Sequence, residues 1–235
     1  MSAAERLAVV TGGTRGIGRA VADRLAAEGW DVLVLARRAA ADCTHRFVAC
    51  DVADPAAARA AFTGLRRVDA LVNCAGIAGA NTLDSDDDTL WHQIIASNLH
   101  GTYHCCKAAL PMLPNGTGRI VNIASVLGLR GVPDQTAYCA AKHGVIGFTR
   151  ALALAVAPRG ITVNALCPGW VDTAMATRRY AELGITAEQA AASVPTGRII
   201  SPHEVAAATI WLLDAESRSI TGHALPIEGG GLALP

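Results

Sequence analysis

Tyr138 and Lys142 stand four residues apart in a stretch of helical spacing, so their side chains leave one face of a helix. A free phenol titrates near about 10, a poor match to neutral pH. An ammonium close by favours the phenolate and lowers that value, so the pair reads as a tuned general acid or base. Ser125 closes an apolar run, where its hydroxyl can hydrogen-bond a substrate oxygen. Asn98 lies mid-helix, where asparagine is a poor helix former, which points to a task other than helix building.

A second constellation is built for phosphate. Thr11-Gly12-Gly13-Thr14-Arg15-Gly16-Ile17-Gly18 joins a short β-branched run to a helical pattern. Glycines let the backbone turn tightly and approach a pyrophosphate, and a helix start offers free N–H groups and a positive dipole end. The glycines fall at 12, 16 and 18, which differs from G-x-G-x-x-G. Taken alone this motif is also compatible with an ordinary βα turn. The end of the next apolar run adds information. An NAD-preferring dinucleotide fold carries an acid there for the ribose hydroxyl. Here the run ends Leu35-Ala36-Arg37-Arg38, with no acid and two arginines, and Arg15 lies in the glycine loop. A guanidinium fork suits a 2′-phosphate, so the expected cofactor is NADP.

These groups need a scaffold, and the apolar pattern supplies one. Strands are expected at residues 7–11, 32–36, 47–52, 70–73, 119–125, 161–166 and 224–227. Helical patterns separate most of them. One holds Ile17, Val21 and Leu25, another Trp91, Ile94, Leu99 and Tyr103, and others cover 138–157 and 202–213. Such alternation predicts a single-domain α/β fold, Rossmann-like, with a doubly wound parallel sheet covered by helices on both faces. Pro226 confines the last strand to an edge or an end. The domain should span 1–235, with a long mobile substrate loop or lid near 170–200. The acidic stretch 84–88 is expected to start the helix holding Trp91.

Composition narrows the function classes. The chain has 235 residues, 20 basic against 20 acidic, 17% charged and 51% hydrophobic. That excludes a disordered chain and argues against nucleic-acid binding, because no basic excess exists to release counterions. No apolar run approaches the roughly 18 residues of a membrane helix, and the start, residues 1–6, does not read as a signal peptide. Seven cysteines without a C-x-x-C suggest free thiols in a reducing cytoplasm. His100 and His104 share a helical face but lack convincing co-ligands, so no metal is expected. Cys139 lacks an identifiable histidine base and reads as packing.

Thr11-Gly12-x-x-x-Gly16-x-Gly18, Asn73-Cys74-Ala75-Gly76, Asn98, Ser125, Tyr138-x-x-x-Lys142 and Pro168-Gly169 together resemble the short-chain dehydrogenase/reductase family over residues 7–231. The resemblance implies hydride transfer between a nicotinamide and a carbonyl or alcohol. It implies Tyr138 as proton donor and Lys142 as its pKa partner and ribose grip. It also implies Ser125 as the group that orients the carbonyl and Asn98 as holder of a relay water. Asp51 and Val52 resemble the adenine-contacting pair. Asn73, Ala75 and Gly76 resemble the strand end against the cofactor, and Val171 and Thr173 the segment fixing carboxamide and phosphates. A homotetramer is implied too. Two departures stand out: residues 38–47 are too short for the usual second helix, and position 74 is Cys where Asn is common.

The substrate wall is expected from Leu127, Leu129, Gln135, Trp170, Met175, Tyr180, Leu183 and Ile185, mainly apolar, which suits a ketone or keto-acyl group. The reading is an NADPH-dependent carbonyl reductase. Its alternatives are a 3-oxoacyl-(acyl-carrier-protein) reductase, with Arg159 as the available basic residue, an NAD-dependent secondary alcohol dehydrogenase, and an NADP sensor without turnover.

Overall fold

A computed structural model describes residues 6–84 and 86–233. Residues 1–5, on which the absence of a signal peptide was read, and Ser85 of the acidic stretch lie outside the described residues. Seven parallel strands form one sheet in the order β3-β2-β1-β4-β5-β6-β7. They are β1 (Leu7–Thr11), β2 (Asp31–Ala36), β3 (Arg46–Ala49), β4 (Ala70–Asn73), β5 (Arg119–Ile123), β6 (Thr162–Pro168) and β7 (Ala224–Ile227). The helices are α1 (Gly16–Ala27), α2 (Pro55–Ala61), α3 (Thr89–Ile95), α4 (Gly101–Ala109), α5 (Thr136–Val156), α6 (Ala174–Leu183), α7 (Ala187–Ala192) and α8 (Pro202–Leu213).

Side chains alternate across the strands, and each face has its own core. Val9, Leu35, Leu71, Ile120 and Val163 pack under α2, α4 and α5 with Ala58, Cys105 and Val156. Val10, Val34, Val72, Val121 and Leu166 pack under α1 and α8 with Val21, Leu25, Val205 and Leu212. The strand order reverses between β1 and β4, and the crevice at the carboxyl ends of strands near such a reversal is where open α/β sheets bind ligands.

Several details differ from the sequence reading. β3 stops at Ala49, because Asp51 Oδ1 accepts from the Ala53 amide and bends the chain away before Val52. The helix α2 was not anticipated, although Asp54-Pro55 is a start signal: Asp54 caps the Ala56 amide at 2.8 Å. Residues 38–45 hold no helix, as the short spacing requires. The helix from Trp91 to Tyr103 is interrupted by a π segment, Ala96–His100, that contains Asn98. The segment 170–200 is largely helical rather than a loop. Thr173 caps α6, Gly184 closes it, and Thr186 with Gln189 forms a capping box on α7. The acidic stretch does open α3, with the Thr89 amide donating to Asp87.

The helical run 136–159 is long and apolar enough, by length and composition, to cross a membrane, which the search for unbroken apolar runs missed. Its buried face packs on the sheet through Val145 and Ile146 and carries Lys142. All seven cysteines are free.

Candidate active site

A cavity of about 540 Å³ opens beyond the carboxyl ends of β4, β5 and β6. Ser125, Tyr138, Lys142 and Asn98 all line it, from three separate stretches of chain. The turn after β5 presents Ser125, whose Oγ accepts from the Leu127 amide at 3.1 Å. That turn lies directly on α5: a Cβ on Gly128 would stand 2.7 Å from the Lys142 carbonyl oxygen. Close packing of this kind holds Ser125 against the helix that carries Tyr138 and Lys142.

Lys142 is 5% exposed, and its Nζ donates to the Ile123 carbonyl at 2.7 Å. It lies 5.5 Å from the centre of the Tyr138 ring. Burial pulls its ammonium down to about 8. The Tyr138 phenol moves the opposite way from the sequence expectation. Burial pushes it up to about 12, against a hydrogen bond with Ser125 that lowers it. The reason is that the ammonium is itself desolvated and bonded to a carbonyl, so loss of water dominates at the phenol. The site therefore holds its phenol protonated.

Asn98 is 1% exposed. Its Nδ2 donates to the carbonyls of Ile77 and Ile94 at 2.8 and 2.9 Å, while its Oδ1 is buried without a partner. A Cβ on Gly76 would meet that Oδ1 at 2.4 Å, so only glycine fits there. The π segment turns this side chain inward, a use common for such bulges.

The glycine loop is equally confined. Gly12 adopts φ +66°, and a Cβ there would stand 2.9 Å from the Ala75 backbone. A Cβ on Gly18 would meet the Gly12 carbonyl oxygen at 2.4 Å. Thr11 Oγ1 accepts from the Cys74 and Ala75 amides, both at 3.1 Å, and ties the ends of β1 and β4. Gly16 faces Thr173 at the start of α6. Ile17, Gly76, Pro168, Gly169, Val171 and Thr173 line the cavity. Gly12, Thr14, Arg15, Gly18, Arg37, Asp51, Val52 and Ala75 do not. Most of these stand at or just beyond the carboxyl ends of β1, β2 and β3. Arg15, Arg37 and Arg38 are exposed and have no side-chain partner among the described residues. Val52 is buried against Gly101, and its carbonyl pairs with His104 Nδ1. Asn73 also departs from expectation. Its side chain turns into the core, where Nδ2 donates to Asn122 Oδ1 at 2.8 Å, and Asn122 donates to Thr149.

Leu127, Gln135, Trp170, Met175 and Leu183 line the cavity as expected, whereas Leu129, Tyr180 and Ile185 do not. Tyr180 instead packs on the outer side of Trp170, with ring centres 5.1 Å apart. Four charged residues of the wall were not anticipated: Arg130, Asp134, Arg179 and Glu228. Arg179 of α6 pairs with Asp134 and with Glu182, tying α6 to the loop before Tyr138. Glu228 accepts from the Gly230 and Leu232 amides. Arg179 and Asp134 stand 45 positions apart, so only tertiary folding pairs them, whereas Arg179 and Glu182 are helix neighbours that spacing could have shown. Arg159 is committed elsewhere, donating to Asn115, Leu110 and Leu113. Cys74 lines the cavity wall, and burial pushes its thiol up to about 12. His143 bonds the Cys139 carbonyl. No group of acids, histidines and thiols suited to a metal occurs among the described residues.

A strand-end crevice with a glycine turn on one side and a buried Ser, Tyr and Lys set on the other defines a dinucleotide-dependent oxidoreductase by its architecture. Comparison with known proteins makes this specific. A family model described as enoyl-(acyl carrier protein) reductase matches residues 12–231. The 3-oxoacyl-(acyl-carrier-protein) reductase FabG of Vibrio harveyi is 39% identical over 241 residues, covering 96% of each chain. A 3β-hydroxysteroid dehydrogenase of Mediterraneibacter gnavus is 35% identical over 260 residues, covering 96% of this chain and 94% of that one. An actinorhodin polyketide ketoreductase variant, solved with NADPH, superposes with a TM-score of 0.88 at 36% identity over 97% of each chain. The chain belongs to the short-chain dehydrogenase/reductase family of oxidoreductases.

Proposed function

We propose that this protein reduces a ketone to a secondary alcohol at the expense of NADPH. The observation that carries the reading is the convergence of Ser125, Tyr138, Lys142 and Asn98 on one cavity with the phenol held protonated. A reductase needs a proton donor, and a phenol near 12 keeps its proton throughout the working pH range.

The chain fits the cofactor. The glycine cradle at 12, 16 and 18 leaves backbone room for a pyrophosphate, and Thr14, Arg15 and Ile17 lie in the same turn. Arg15 and Arg37 suit a 2′-phosphate, and Asp51 and Val52 are assigned to the adenine. Asn73, Ala75 and Gly76 are assigned to the floor of the groove, Asn73 through its backbone. Pro168, Gly169, Val171 and Thr173 are assigned to the nicotinamide end. When bound, the nicotinamide supplies the hydride.

The remaining chemistry is the protein's. Ser125 Oγ accepts from Leu127, and its O–H, which bonds Tyr138, is assigned to turn to the carbonyl oxygen. Tyr138 gives its proton to that oxygen. Lys142 has one N–H on Ile123 and two donors left, for the phenolate that forms and for the ribose. The unpaired Oδ1 of Asn98 holds a water through which the proton is replaced. The wall of Leu127, Trp170, Met175 and Leu183 excludes solvent and favours an apolar ketone.

A second reading, a β-keto thioester on an acyl carrier, is favoured by Arg130. It is exposed at the cavity wall, without a side-chain partner, and is suited to a carrier phosphate. The exposed Tyr103 of α4 and Leu154 of α5 support a homotetramer built on these helices, which sedimentation at the monomer mass would refute. Free cysteines agree with a reducing, cytoplasmic compartment. The test is absorbance at the nicotinamide band with NADPH or NADH against a carbonyl panel that includes an acetoacetyl thioester. Consumption of NADPH alone supports the reading. Tight NADPH binding without turnover across the panel favours a sensor, and stronger NADH use overturns the cofactor assignment.

A further inference from the structure

Four amides at the start of any helix lack an internal partner, and a side chain usually caps them. The catalytic helix α5 lacks such a cap from its own N-cap residue, Gln135. We propose that Asn81, from the loop after β4, caps this helix from outside and is thereby a positioning residue for Tyr138.

The contacts are specific. Asn81 Oδ1 accepts from the Ala137 amide at 3.0 Å, and its Nδ2 donates to Thr136 Oγ1 at 2.9 Å. The Asn81 amide donates to the Asp134 carbonyl at 2.8 Å, and Asn81 and Gln135 form a short parallel bridge. Ala137, which receives the cap, is fully buried and immediately precedes Tyr138. Asparagine is among the strongest N-capping residues, and here it works across 56 positions of sequence. The same loop reaches the other side of the site, since the Ile77 carbonyl accepts from Asn98 Nδ2. One short segment thus sets the height of the proton donor at one end and holds Asn98 at the other. The backbone bridge does not use the Asn81 side chain, so a non-proline substitution isolates that side chain's share.

This inference rests on Tyr138 being the proton donor, and its test separates the two. Asn81→Ala, Asn81→Asp and the wild type are compared by hydrogen exchange of the apo protein and by steady-state ketone reduction. Asp keeps the acceptor for the Ala137 amide. The expected result for Asn81→Ala is exchange about fivefold faster over residues 136–140 and kcat lower on the order of tenfold. KM for NADPH should stay within about twofold of wild type, because the displacement is confined to the donor. Asn81→Asp should restore most of both effects. If Asn81→Ala does not fold, Asn81→Ser, which is too short to reach the helix, replaces it. Wild-type exchange at 136–140, or faster exchange with unchanged kcat, overturns the positioning role. A wild-type protein that reduces no ketone, with exchange responding as expected, retains the cap and overturns the proposed function instead.

Discussion

Arg15 and Arg37 stand exposed and unpaired near the ends of β1 and β2, while Lys142 and Asn98, beside β4 to β6, are 5% and 1% exposed and bonded within the protein. The first region leaves whole charges to water. The second leaves single unspent donors and acceptors in a dry site. The contrast follows from what each region must do. A diphosphate ligand that arrives and leaves with its charge is met at low cost by solvated guanidiniums. A proton transfer needs fixed groups whose affinities burial has already moved.

Removing the phenol breaks the buried half outright. Tyr138→Phe should lower kcat by roughly three orders of magnitude while NADPH binding, followed by fluorescence titration, stays close to wild type. Lys142→Met should cost about a hundredfold. It also tests the burial argument by pH. In the wild type, kcat/KM for NADPH should fall above about pH 8, as the free enzyme's Lys142 loses its proton, with no limb from a phenol near 12. Stability gives the same test a sign. The folded value near 8 lies below the ordinary 10.5, so the unfolded lysine binds more protons between them and the contribution of Lys142 to stability rises with pH across that window. The buried thiols, held above their ordinary 9, pull the other way, so chemical denaturation at pH 7.5 and 10 should show a greater loss of stability with pH in Lys142→Met than in the wild type.

The solvated half should respond more gently and in selectivity. Arg37→Asp is expected to cut the NADPH-over-NADH preference about ten- to a hundredfold without changing kcat on the preferred cofactor. An unchanged ratio would remove Arg37 from the 2′-phosphate. Smaller still is the tie that holds its loop. Arg19 and His45 both grip Asp23, and Arg19 reaches Asp42, so residues 38–45 are fastened to α1 in place of a helix. Asp23→Asn should raise KM for NADPH about two- to threefold. A larger effect would mean that the exposed half is more preorganised than its surface suggests.

The two halves also differed in how much the sequence disclosed. β1, β4, β7 and α8 were legible to the residue, because short apolar runs end at glycine or acidic signals there. The meeting of Tyr138, Lys142, Ser125 and Asn98 at one cavity was legible mainly through the family resemblance, since a Tyr and a Lys at helical spacing alone mark only a helix face. Strand ends at β3 and β5 were not, since a bend or a turn depends on side-chain bonds such as that of Asp51. The helical nature of 170–200 was hidden because its two helices are short, 10 and 6 residues, and each buries a single alanine, although Thr173 and Thr186 are caps visible in hindsight. The direction of the Tyr138 shift was out of reach altogether. Spacing puts an ammonium near a phenol, but only the fold decides how much water both lose.

Cys74 draws a practical consequence from the same dryness. Burial pushes its thiol up to about 12, which suppresses the thiolate, the form that reacts. Unsaturated ketones are soft electrophiles that alkylate thiolates, and Cys74 stands in the cavity wall. Its thiol is expected to be alkylated more slowly by an enone than the same thiol in the unfolded chain, which mass spectrometry of the treated protein would check.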